Sequence, residues 1–88
     1  MMSIADEIRT RLAALAPENI ELFDDSAAHA GHAGAASGGG HFELTIVSNA
    51  FIGKKTLERH RMVYQPLSDL IPHRIHALSI RALTPDEF

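Results

Sequence analysis

The 88-residue chain has no cysteine. Disulfide cross-links, thiol catalysis and a self-contained Cys₄ metal site are therefore excluded. No apolar run is long enough to span a bilayer, so no membrane association is expected. Met1 to Asp6 shows no basic segment followed by an apolar one, and Asp6 and Glu7 stand where a mitochondrial transit peptide avoids acids. The expectation is a cytoplasmic protein or a mature domain. A formal net charge of -3 argues against a protein that coats nucleic acid. No nucleophile motif, no suggestively placed carboxylate pair and no cofactor fingerprint is visible, so an enzyme is not expected. Asp24 and Asp25 are adjacent and would point apart on a strand.

Apolar residues make up 45% and charged residues 22%, the balance of an ordinary globular domain with one modest core spanning 1–88. Ser3 to Ala16 has helical periodicity through Ile4, Ile8, Leu12 and Leu15. Ser3 can cap it, Asp6 is placed for a capping box, and Pro17 ends it. Asn19 to Phe23 alternates as a short strand. His41 to Ser48 alternates clearly, with Phe42, Leu44 and Ile46 on one face.

Between these strands, residues 26–40 contain only Ser, Ala, His and Gly. They bury too little apolar surface to offset ordering entropy, so a flexible loop is expected. His29 and His32 are its only side chains with coordination chemistry. At i and i+3 they could form a metal pair, which His41 could in principle join; two histidines alone do not complete a tetrahedral zinc site.

Lys54 to Tyr64 reads as a second helix, with Leu57, His60, Val63, Tyr64 and Leu67 near one side. Gly53 before it marks an unusual backbone angle. Leu67 to Ile71 could form a short third helix, and Ile75 to Leu83 is the last strand. The order is helix, strand, strand, helix, helix, strand. It predicts an α+β fold: a three-stranded mixed sheet with helices packed on one face. Ile4, Ile8, Leu12, Leu44, Ile46, Leu57, Leu78 and Ile80 are its expected core.

Charge is uneven. Phe51 to Tyr64 carries Lys54, Lys55, Arg59 and Arg61 against Glu58, a net +3, leaving -6 for the rest. This stretch is a solvated helix face, a dock for an acidic partner, or a nucleic-acid contact.

Phe51-Ile52-Gly53-Lys54-Lys55-Thr56-Leu57-Glu58-Arg59-His60-Arg61-Met62-Val63-Tyr64 resembles the F-x-G-x-x-x-L-x-R-H-R-x-V-Y signature of the BolA-like family. His41-Phe42 through Ile46-Val47-Ser48 resembles the family's H-F-x-x-x-I-V-S strand, and Ile75-His76-Ala77-Leu78-Ser79-Ile80 its V-H-A-L-S-I strand. The resemblance runs in order over nearly the whole chain. It implies the α-β-β-α-α-β topology of KH type II domains. It also implies a non-enzymatic partner of monothiol glutaredoxins that shares a [2Fe-2S] cluster with glutaredoxin and glutathione, for cluster trafficking or for iron and redox sensing. No cofactor is then expected in the isolated chain. The family's histidine ligand falls on His76, and its loop ligand on His29, with His32 a close competitor. From spacing alone, His76 is in phase with Leu78 and Ile80 and reads as a core-edge histidine. Imidazole replaces thiolate on iron in Rieske centres, so the chemistry suits a chain without cysteine. The alternative is a DNA-binding transcriptional regulator using Lys54, Lys55, Arg59 and Arg61. RNA clamping through a G-x-x-G loop is not supported, because Gly53 stands alone.

Overall fold

A computed structural model describes residues 2–25 and 40–88. The expected loop flexibility, and His29 and His32, lie outside the described residues. Ser3 caps the first helix, α1 (Ile4–Leu12), by accepting a hydrogen bond from the Asp6 amide at 3.1 Å. The helix tightens into a 3₁₀ turn over Ala13–Leu15 and ends where Ala16 takes φ 47°. Strand β1 (Asn19–Asp24) runs antiparallel to β2 (Gly40–Val47). A 3₁₀ turn, Asn49–Phe51, leads to Gly53, whose φ of 78° supplies the unusual angle expected before α2 (Thr56–Tyr64). The third helical segment is a 3₁₀ turn, Gln65–Leu67, continuing as turns to Arg74. Strand β3 (Ile75–Leu83) then pairs parallel with β2, giving the mixed sheet β1-β2-β3.

The alternation in β2 sends Phe42, Leu44 and Ile46 to the helix-covered face, where all three are buried with Ile8, Leu12, Phe51, Val63, Leu67, Leu70 and Ile75. Each such aliphatic side chain contributes roughly 1.5–3 kcal/mol on burial. Ile4, Leu78 and Ile80 pack against this cluster half-buried. The opposite face carries the exposed Glu21, Phe23, Glu43, Ser79 and Arg81.

Leu57 departs from the expectation: it is 63% exposed. It lies six residues before buried Val63, about 240° round the helix at 3.6 residues per turn. The inward position one turn before Val63 belongs instead to Arg59, whose side chain is only 14% exposed.

An ion-pair network fastens α1 to the segment preceding β3. Arg11 binds Asp69 and the Pro66 carbonyl, and Glu7 bridges Arg11 and Arg74, each at 3.0 Å. The Arg11 guanidinium, then Arg74, holds the Glu7 carboxyl below its usual range, and Arg11 does the same to Asp69.

Candidate functional site

His76 occupies an irregularity in the sheet. Gly40 pairs with Ile75, but the next residue of β2, His41, pairs with Ala77. His76 is therefore an extra residue in the ladder, a bulge that changes which way the side chains on either side of it face. Ile75 before the bulge is fully buried, and Leu78 and Ile80 after it face the helices. His76 is exposed. The core-edge placement read from its phase with Leu78 and Ile80 is thus corrected: the period-2 count fails across an inserted residue.

The bulge is held on both sides. The Gly40 amide donates to the Arg74 carbonyl at 3.1 Å, and the amides of Arg74 and Ile75 both donate to the Leu70 carbonyl at 2.9 Å. Gly40 also lies too close to its surroundings for a side chain. A Cβ there would stand 2.5 Å from Cε2 of Phe42, a ring that is itself 3% exposed.

Across the strands, the His41 ring lies against His76, with centroids 5.0 Å apart and planes inclined at 44°. Asp25, His41, Glu43, Ala77 and Ser79 line a hollow of about 190 Å³ beside this pair. The Asp25 amide donates to the His41 carbonyl at 2.7 Å, extending the β1–β2 pairing one step beyond β1. The chain thus enters and leaves residues 26–39 next to His76. His29 is four residues from Asp25, a reach of at most about 14 Å.

The basic face is smaller than the sequence implies. Lys54, Lys55 and Arg61 are exposed. Arg59 is bonded to protein along its whole length: Nε donates to the Lys54 carbonyl at 2.8 Å, and Nη1 to the Ala82 carbonyl at 3.1 Å and to Glu87 Oε1 at 2.6 Å. Its charge is matched by Glu87, whose carboxyl is pulled down to about 2, first by Arg59 and then by the Thr84 amide. Arg59 thus ties α2 to the end of β3 and to the following 3₁₀ turn, Pro85–Glu87. Of the four basic candidates, three are left to meet a partner.

Two residues of this region were not singled out on the strength of the sequence. His41 was weighed only beside the loop histidines, whereas the fold sets it on His76. Glu87 was read as part of a tail, although Thr84-Pro85-Asp86-Glu87 has the capping-box spacing that signals its bond to the Thr84 amide at 2.8 Å. Among the described residues no three His, Asp or Glu side chains converge to hold a metal ion. Within the same residues, no helix is long and apolar enough to cross a membrane.

Comparison with known proteins places this geometry in context. The family model described as BolA-like protein matches residues 12–87. The chain is 46% identical over 78 residues to SufE-like protein 1, chloroplastic/mitochondrial, of Arabidopsis thaliana, covering 83% of this chain and 21% of that protein. It is 42% identical over 82 residues to BolA-like protein 1 of Mus musculus, covering 92% and 58%. The chain therefore spans from about a fifth to under two thirds of the length of these two relatives. It is 36% identical over 88 residues to the DNA-binding transcriptional regulator BolA of Escherichia coli K12, covering 99% and 81%. The solved BolA domain of SufE1 from Arabidopsis thaliana superposes with a TM-score of 0.84 at 43% identity, covering 100% of this chain and 99% of that one. The matched segment takes in α2, the mixed sheet and the bulge that presents His76, and on sequence and fold together the chain belongs to the BolA-like family.

Proposed function

We propose that the chain is a non-enzymatic partner of a monothiol glutaredoxin, and that the two carry a [2Fe-2S] cluster between them with glutathione as cargo for trafficking or sensing. The observation that supports this most directly is the exposure of His76 on a bulge whose backbone is fastened at Gly40, Arg74 and Leu70. A fixed, solvent-facing imidazole at a sheet end is suited to meet a ligand held by another protein. The donor set fits a shared site. The chain has no cysteine, and the described residues hold no three-ligand cluster, so thiolates have to come from the partner and glutathione. The second ligand of this chain is assigned to His29, with His32 as its substitute, because the residues that flank their segment, Asp25 and Gly40, are bonded to His41 and Arg74 near His76. Neutral imidazole titrates near physiological pH, so a cluster held this way is more labile in acid than an all-thiolate one.

The test is anaerobic reconstitution with a monothiol glutaredoxin and glutathione, followed by visible circular dichroism of the heterodimer. The His76→Ala chain is expected to lose the mixed-cluster spectrum. A spectrum identical to that of the unmodified complex removes His76 as a ligand.

A second reading is favoured by one finding, the name of the Escherichia coli relative: regulation through DNA. On this reading Lys54, Lys55 and Arg61 contact phosphates. Arg59 does not, because Glu87 and two carbonyls already take its donors. Absence of duplex binding at low salt would dispose of this alternative.

A further inference from the structure

The sheet has one covered face and one bare one. Phe42, Leu44 and Ile46 turn toward the helices, so His41, Glu43 and Thr45, which alternate with them on β2, turn to the other side. The register carries this pattern across the strands. Phe23, Glu43 and Ser79 stand in one row over β1, β2 and β3, and Glu21, Thr45 and Arg81 stand in the next. Five of these six residues are exposed, and Thr45 is half-buried. The bare stretch ends at Val47, two residues further along β2 and only 2% exposed.

His76 opens onto the same face, because its ring lies against that of His41. Shallow hollows of about 190, 280 and 390 Å³ adjoin there, each bordered by Glu43. Phe23 is directly across from Glu43 and is 61% exposed. One exposed ring is ordinary on a protein surface. This one shares a rigid, paired surface with the imidazole that has to meet another protein. With strands about 4.8 Å apart and about 3.3 Å per residue, the backbones of Phe23 and His76 are roughly 12 Å apart. A standard dock of about 800 Å² per partner takes in both.

We propose that the glutaredoxin which meets His76 docks on this bare face, with Phe23 as the apolar anchor and Glu43 and Glu21 taking the partner's cations. The proposal rests on the glutaredoxin reading and adds the surface through which it operates. Charge complementarity carries the choice. Glutathione is a net anion at neutral pH, and so is a thiolate-bound [2Fe-2S] cluster. A protein that holds both presents cations around them, and the surface that receives it should carry carboxylates. Glu43 and Glu21 are in no ion pair among the described residues, so both are open to such cations. Arg81 is the cation of these rows, and it lies on the β3 side, five residues beyond His76. Lys54, Lys55 and Arg61 have the wrong sign for this partner. Their helix, α2, also packs on the other face, where Val63 joins the core. It therefore stays uncovered in the docked complex. Aromatic anchors with a polar rim are the usual make-up of a protein interface.

The experiment titrates the full chain into a monothiol glutaredoxin loaded with cluster and glutathione, and follows formation of the heterodimer by visible circular dichroism. Phe23→Ala and Glu43→Lys should each raise the concentration of chain needed for half-conversion by at least about tenfold. At saturation both should reach the parent spectrum, because the ligands are unchanged. The deficit of Glu43→Lys should shrink as salt is raised, since the charges it sets against the partner are screened. Thermal melts of the isolated variants check that exposed Phe23 and Glu43 are dispensable for folding, and Phe23→Ser and Glu43→Gln give a second variant at each position. The triple variant Lys54→Glu, Lys55→Glu, Arg61→Glu should convert with the parent. His76→Ala differs in kind, giving an altered spectrum at every concentration. If Phe23→Ala and Glu43→Lys convert at the parent's midpoint, or if the α2 triple variant is the one displaced, the docking surface is overturned while His76 stands as a ligand. If the unmodified chain never converts the spectrum, the glutaredoxin reading falls, and this surface with it.

Discussion

Removal of Arg59 tests whether this residue is a structural tie rather than part of a binding surface. In the Arg59→Ala chain the Lys54 and Ala82 carbonyls lose the donors now at 2.8 and 3.1 Å. A hydrogen bond involving a charged group contributes about 1.5–3 kcal/mol. Ala82 is buried, but the guanidinium retains 14% exposure, so water reaches part of the vacated space. The low end of the range for each bond is appropriate, giving a loss of about 3 kcal/mol. Glu87 is 45% exposed and regains water, so the ion pair itself adds little. At about 4–8 °C per kcal/mol for a domain of this size, the melting temperature should fall by roughly 12–24 °C.

Glu87→Gln separates the ion pair from the carbonyl bonds. The Glu87 carboxyl is depressed from 4.5 to about 2 in the folded chain. A group whose folded pKa is lowered stabilises the fold above its unfolded pKa, and that contribution disappears as pH falls through the folded one. The melting temperatures of the parent and Glu87→Gln chains should therefore differ at pH 7 and converge between about pH 5 and pH 2. Glu7 and Asp69 are also depressed, so both proteins lose stability in acid. The informative quantity is the difference between the two curves. A constant difference across this window, or an Arg59→Ala chain that melts with the parent, would refute the assignment.

Gly40→Ala should cost about 1–3 kcal/mol in urea unfolding, because the new Cβ meets the buried Phe42 ring at 2.5 Å. Its NMR spectrum should also show displaced His76 and His41 ring signals. Leu57→Ser should change stability by no more than about 0.5 kcal/mol, since the side chain is exposed. Leu44→Ala should lose about 2–5 kcal/mol in the same denaturant assay, as its side chain is 2% exposed. If duplex DNA binds, the slope of log affinity against log salt should be no steeper than about -2.7, the value for Lys54, Lys55 and Arg61 without Arg59. A slope near -3.6 would show Arg59 on phosphate.

The fold was readable because its signals are local and agree with one another. Phe42, Leu44 and Ile46 alternate without interruption, and β3 begins and ends where its pattern does, at Ile75 and Leu83. Leu57 misled because hydrophobic identity was given more weight than angle. On α2 the inward position is filled by an arginine whose three side-chain nitrogens each donate to an acceptor in the fold. That arrangement depends on Glu87 and Ala82, which are 28 and 23 residues away in sequence, and no window of helical periodicity contains them.

The position of His76 shows a different limit. Counted from Leu78 and Ile80, it belongs to the core face; counted from Ile75, it belongs to the opposite one. Both counts are correct for an unbroken strand, and their conflict locates the break between residues 75 and 78. Ile75 and Leu78 are three apart, yet both pack toward the helices. In a regular strand, residues three apart face opposite sides. The apolar pair Ile75 and Leu78 is thus the sequence trace of the bulge, but it becomes legible only once Gly40 is seen to pair with Ile75 and His41 with Ala77. The same inserted residue that spoils the period count releases the imidazole from the core, and the tight approach of Gly40 to Phe42 and Arg74 holds the insertion in place. Exposure of His76 is therefore a property of three neighbouring backbones rather than of its own strand. For that reason Gly40→Ala should disturb the ligand chemistry of His76 while leaving its imidazole chemically intact.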